Sequence, residues 1–219
     1  MNPIYLCVFS ICSIFLIYCH PIKSKKPSPS DQLLQIFPTT SLSDTLHVWR
    51  EAFSEKAHIP IPDSVLQAAS VDSLLAVISP YASDIDELGG IYAISQFDLS
   101  HHTRACLVQI HYSWYRHLGI LLWEKDRHRF TSAVQLSLLD GGDGGQALTE
   151  SWLFDWDGDG DHDQLLRTHT HAMIPTEEGD GFRELDEDHV ALFIWDKETF
   201  QPSPLPDTTG LIARFQIDW

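Results

Sequence analysis

"RACLVQIHYSW", residues 104–114, decides the class of fold. Cys106, Val108, Ile110, Tyr112 and Trp114 recur at every second position, with Gln109, His111 and Ser113 between them. A period of two belongs to a β-strand, whose successive side chains point to opposite faces. Working outward, "IYAISQFDL" (91–99), "LGILLWEKD" (118–126) and "RFTSAVQLSLL" (129–139) are likewise rich in β-branched and aromatic residues and are separated by polar turns. "HVALFIWDKETFQP" (189–202) and "LIARFQIDW" (211–219) carry the strand pattern onward. The expected class is mainly β: an antiparallel meander, a partial propeller or a sandwich-like sheet, with a short helical N-terminal region.

That helical region is residues 32–88. Leu46, Trp49, Phe53 and Ala57 fall at helical spacing before Pro60, and "DSVLQAAS" and "DSLLAVISP" each carry an apolar face. It is expected to pack on the sheet of a β-rich domain spanning 89–219. Residues 20–31, "HPIKSKKPSPSD", are a Pro/Ser/Lys tether of the composition of a flexible linker. Residues 1–19, "MNPIYLCVFSICSIFLIYC", are almost unbroken apolar chain, read as a signal peptide or lipoprotein leader. The segment "LIYC" (16–19) resembles a bacterial lipoprotein signal. That resemblance implies a lipid on Cys19 and an extracytoplasmic site, either anchored in the cell envelope or secreted. The strand pattern as a whole is similar in style to small cell-envelope lipoproteins.

The 219 residues are 43% hydrophobic, enough for a substantial core. A net charge of −17 argues against a nucleic-acid partner, since phosphate backbones need clustered Lys and Arg. Cys7, Cys12 and Cys19 fall in the leader, so Cys106 is left without an internal disulfide partner, and its alternation with Val108 and Ile110 predicts a buried, inert thiol.

The densest chemistry lies in "DWDGDGDHD", residues 155–163. Five aspartates in nine residues repel one another unless a cation sits among them. Asp155, Asp157, Asp159 and Asp163 follow the spacing D-x-D-x-D-G-x-x-D, and alternate carboxylates of a tight loop can converge on calcium, which takes six to eight oxygens. Asp161 would offer its backbone carbonyl. An EF-hand is excluded, because the position of its bidentate glutamate is Leu166 and the flanks "SWLF" and "QLLRTHTH" are strand-like. The segment 150–171 resembles the calcium-binding hairpin of FG-GAP and VCBS repeats, as in integrin-α-type propellers. The resemblance implies that Asp155, Asp157, Asp159 and Asp163 are side-chain ligands of a structural calcium ion.

"HTH" at 169–171 puts His169 and His171 on one strand face, where ordinary surface histidines are the plainer reading and a nearby carboxylate, with His162 as a third imidazole, would make a zinc-type site the alternative. "LDGGDGG" (139–145) lacks the Lys-Ser/Thr of a phosphate-binding loop and is expected to be a flexible hairpin loop, with room to lie beside the aspartate turn. "EEGDGFRELDEDH" (177–189) is expected to be a long, mobile acidic loop; were it to supply a further cation ligand, Asp180 is the natural candidate. No serine or cysteine nucleophile motif is present. The expected function is a binding or accessory module with a structural calcium loop rather than an enzyme, its protein or glycan partner open. The alternative is a metal-dependent hydrolase using His169 and His171 with an aspartate.

Overall fold

A computed structural model describes residues 26–42, 44–53, 58–82, 88–142, 144–176, 181–205 and 207–217. The leader, the first half of the linker, Ala57 and Asp180 lie outside the described residues. Those described form a mainly β fold of ten antiparallel strands in one open meander sheet, with four short helices.

Three of the four helices precede the long strands. α1 (Pro29–Leu34) begins inside the stretch expected to be linker, because Ser28 and Asp31 form a reciprocal capping box. α2 (Asp63–Ala69) and α3 (Asp72–Ile78) follow the two Asp-Ser segments. The expected helix through Leu46 and Phe53 is not formed: Thr45–Val48 is strand β1. Its side chains gain more from pairing with a sheet edge than from a helical stripe, so tertiary context overrides the spacing. The other strands are β2 (Ile59–Pro60), β3 (Leu88–Asp98), β4 (Thr103–Tyr112), β5 (Tyr115–Glu124), β6 (Arg129–Gly142), β7 (Gly145–Phe154), β8 (Asp163–Pro175), β9 (Phe182–Asp196) and β10 (Thr199–Ser203).

Strands β2 to β10 neighbour one another in chain order. The break in the sheet is at β6. Its first part, to Ser137, pairs with β5, and its last, from Leu138 to Gly142, pairs with β7. Where β6 leaves β7, β1 takes its place, matching Thr45–Val48 to Phe154 through Ser151. The two halves therefore fold over each other and share a core of Ile94, Phe97, Leu107, Leu118 and Ile120 from one side with Val48, Leu153 and Trp195 from the other.

A second core lies under the helices, where Leu33, Leu66, Leu75 and Ile78 meet Cys106, Val108, Ile110 and Leu121. Strand β4 is thus buried on both faces from Ala105 to Ile110, where the period of two separates two cores rather than core from water; Trp114, expected to continue the strand, lies in the turn beyond it and is exposed. Cys106 is fully buried, and burial raises its thiol far above the ordinary range, which makes it unreactive. Helix α3 reaches the sheet at Gly119, where any Cβ would come within 2.6 Å of Ile78 and of the Val134 carbonyl. The absence of a side chain there sets the helix–sheet distance.

A third cluster covers part of the outer face of β7–β9. Trp152, Leu165, Val190 and Leu192 pack against Leu211 and Phe215. Leu211 belongs to helix α4 (Thr208–Arg214), which replaces the strand expected from "LIARFQIDW". Asp207 caps it by accepting the Gly210 N–H at 2.9 Å. A helix lets Leu211 and Phe215, four apart, bury together on one face. No helix among the described residues is long and apolar enough to cross a membrane.

Candidate metal centre

The aspartate turn joins β7 to β8 and is shaped by its own side chains. Asp155 accepts the Gly158 N–H through Oδ1 (2.7 Å) and the Gly160 N–H through Oδ2 (3.1 Å). Asp157 accepts the Asp159 N–H at 3.2 Å, and Asp159 accepts the Asp161 N–H at 2.9 Å. These are Asx-type turns, in which a short carboxylate stands in for a backbone carbonyl. The chain can wind this tightly because Gly158 and Gly160 adopt φ of 85° and 94°, which residues with a Cβ rarely reach.

The winding brings carboxylate oxygens of Asp155, Asp157 and Asp159 within 4.8 Å of one another at the exposed end of the sheet. Each carboxylate has about four lone-pair sites, so accepting one or two amide bonds leaves capacity for a cation. Asp163 is set apart from these three. It is buried, with Oδ2 accepting the Trp156 N–H and Oδ1 the Trp195 N–H, both at 2.8 Å. In this geometry Asp163 fastens the turn to the end of β9. Burial pushes its carboxyl up, opposed by the bonds to Trp195 and Trp156 and assisted by Asp157 and Asp159. Asp161 is raised as well, by burial first and then by the like charges of Asp159, Asp155 and Asp157, with only His162 opposing. The turn therefore holds uncompensated negative charge.

The turn docks through the His162 N–H, which donates to the Leu99 carbonyl at 3.2 Å. Asp159 and Asp161 then share a cavity of about 410 Å³ with Ser100, His101, His102 and Asp126. His162 stays at this end, seven residues along the chain from His169, and the extended rise of about 3.3 Å per residue keeps it out of any site with His169 and His171. The Gly-rich loop is also elsewhere: Gly142 and Gly145 close the β6–β7 hairpin at the opposite end of β7 from the aspartate turn.

A second group of potential ligands lies along β8 and β9. Of the expected acidic loop, residues 182–189 instead form the first half of β9, each with a partner residue on β8, and residues 177–180 lie outside the described residues. Asp188 stands opposite His169, Asp186 opposite His171 and Glu184 opposite Met173. Side chains of one strand parity share a face, so His169 and His171 meet three carboxylates on the outer side of the sheet. His169 Nδ1 lies 3.2 Å from Asp188 Oδ1, His169 Nε2 lies 3.6 Å from Asp186 Oδ1, and His171 Nδ1 lies 3.5 Å from Glu184 Oε1.

Arg167 begins this row. Its buried guanidinium donates to Asp188 Oδ1 at 2.6 Å, to the Phe215 carbonyl at 2.6 Å and to the Ile212 carbonyl at 3.1 Å, tying α4 to the sheet. Burial raises the Asp188 carboxyl, but the bonds from Arg167 and His169 outweigh it and hold the group below its ordinary value. Beyond Arg167, the buried Glu150 lies 2.7 Å from His47 Nε2, and the His47 ring stacks on Trp152 at 4.3 Å.

Glu184, Asp186 and Asp188 were not separable by sequence from their acidic neighbours. The available signal was their own alternation, which matches that of His169 and His171. No family model matches this chain, and no curated protein or solved structure matches it significantly.

Proposed function

We propose that the protein is an exported, β-rich binding or accessory module whose aspartate turn holds one calcium ion as a structural clip. The observation that carries this reading is the convergence of Asp155, Asp157 and Asp159 within 4.8 Å in a turn wound by its own carboxylates. Hard oxygen donors on exposed side chains of one loop suit calcium better than magnesium, which keeps its waters and demands near-ideal octahedral geometry. Asp161 and Asp163 complete the local set, Asp161 through its carbonyl and Asp163 by fixing the loop base. Outside the cytoplasm, millimolar calcium saturates even a weak site, and binding to the folded state alone stabilises it. The apolar leader supports export, with Cys19 as the lipid attachment point of an envelope-anchored form.

Calorimetric titration of the domain with calcium tests the reading. One ion should bind, Asp157→Ala should abolish the heat, and EDTA should lower the melting temperature. An unchanged melting temperature and unchanged proteolysis of the turn in EDTA would sink it. The hydrolase reading of His169 and His171 comes second. It draws on the carboxylates facing both imidazoles, and it requires zinc-dependent turnover of ester or phosphoester probes that His169→Ala removes.

A further inference from the structure

The outer face of β8–β9 carries two imidazoles and three carboxylates in a register that hydrogen bonding along the whole ladder fixes. Donor atoms of His171, Glu184 and Asp186 lie within 4.8 Å of one another. His169 adjoins this group through Nε2, 3.6 Å from Asp186 Oδ1, while its Nδ1 is turned to Asp188. We propose that His169, His171, Glu184 and Asp186 form a second metal site, separate from the aspartate turn, that takes a transition-metal dication of the zinc class.

Three features favour this over a simple ladder of ion pairs. First, the donor set is mixed. Calcium and magnesium prefer oxygen alone, whereas two imidazoles with two carboxylates suit zinc, copper, nickel or cobalt. Second, two carboxylates neutralise a dication, so the occupied site carries no net charge, and a chain of net charge −17 concentrates cations near its surface.

Third, a metal-ligating histidine almost always gives its other ring nitrogen to a carboxylate or carbonyl, and His169 has this arrangement already. Asp188 holds His169 Nδ1, and the buried Arg167 holds Asp188 in turn, while Nε2 lies on the side of Asp186. Arg167 and Asp188 are thus positioning residues. Tetrahedral ligands about 2.1 Å from zinc stand about 3.4 Å apart. The donors of His171, Glu184 and Asp186, within 4.8 Å of one another on exposed side chains, are near that spacing, and His169 joins them through Asp186. The site depends neither on the calcium clip nor on any hydrolytic step.

Zinc and cobalt titrations in millimolar calcium, which fills the aspartate turn, test the proposal on the intact domain. One zinc ion should bind, and cobalt should give the intense visible bands of a tetrahedral ion with nitrogen donors. His171→Ala and Asp186→Asn should each weaken binding by at least about tenfold. Asp157→Ala should leave zinc binding unchanged. Asp188→Asn should keep the single ion, lower its affinity by about tenfold and shift the cobalt bands, because the ring of His169 is no longer held. The altered side chains at 171 and 186 are exposed, so an unchanged far-UV spectrum establishes that those variants fold. If zinc binding disappears in excess calcium, or survives both His171→Ala and Asp186→Asn, the row is only an ion-pair ladder. The calcium titration with Asp157→Ala is independent, so failure here leaves the clip reading standing.

Discussion

The two halves of the folded sheet share one ladder but bury it differently. In β3–β5 both faces are covered, by the helices on one side and by the other half of the sheet on the opposite side. In β7–β9 the inner face is covered, while α4 screens only part of the outer face. The covered half spends its side chains on packing. The half-open one can afford charge, and each arginine, histidine or acid there either fixes a neighbour or remains available to a ligand. Along β8 itself the contrast sharpens: one end is held by a turn that bonds to itself, the other by partners from β9 and α4.

The largest effect is expected where that second kind of fastening is removed. Arg167→Ala leaves Asp188 without its guanidinium and strips two carbonyls of α4 of their donor. Losing two hydrogen bonds from a charged, buried donor, at about 1.5–3 kcal/mol each, costs about 3–5 kcal/mol, to which the solvent-facing Asp188 adds little. Denaturant unfolding should register most of that loss, and hydrogen exchange should report α4 loosening before the ladder. A stability within about 0.5 kcal/mol of wild type, the scale of an ordinary surface change, would mean that Arg167 fastens nothing.

Asp163→Ala attacks the turn end. It orphans the N–H groups of Trp156 and Trp195, at about 1–3 kcal/mol each, partly relieved if water enters. The expected loss is about 2–4 kcal/mol by the same measurement. Asp163→Asn should cost less, because its single carbonyl oxygen can still accept one of the two. Asp157→Ala is the counterpart: with no cation present it should change stability little, because among the described residues its carboxylate accepts only the local Asp159 N–H. Equal losses from Asp157→Ala and Asp163→Ala in EDTA would erase the distinction between ligand and fastener.

Next comes cation removal. Calcium at a hundredfold excess over its dissociation constant adds about 2.7 kcal/mol if only the folded state binds. Titrating EDTA should therefore lower the melting temperature of wild type and leave that of Asp157→Ala unmoved.

The parts legible in the sequence were those set by neighbours along the chain. The aspartate turn is one, since its spacing and glycines lie within nine residues. The strands around 104–139 are another, because β-branched and aromatic residues there agree with the period. What escaped was decided across the chain. Thr45–Val48 pairs with β7 because β6 departs and leaves a vacancy on that edge. Phe182 through His189 look like loop by charge, yet each has a partner residue opposite it on β8. The carboxylates facing His169 and His171 follow from that register and from nothing local.

The smallest effect belongs to the covered half and reverses the theme of charge. His111, on β4, faces Tyr92 and lies near Arg116 and His58. Burial, with the positive charge of Arg116 and His58 adding to it, pushes His111 down to about 4. His117, fully buried between Ser79 and the Leu139 carbonyl, is also held below its ordinary value by burial. An unfolded histidine takes up a proton near pH 6.5, whereas folded His111 refuses it down to about pH 4. Below pH 6.5 the unfolded chain therefore binds more protons, and the stability that neutral His111 contributes drains away as pH falls toward 4. His111→Phe removes that proton uptake while keeping a ring against Tyr92, so its melting temperature should fall less steeply than wild type between pH 7 and 4.5. Acids common to both proteins cancel in the difference. Parallel profiles would mean that His111 is solvated enough to protonate in place, and the covered half would then be less dry than its packing implies.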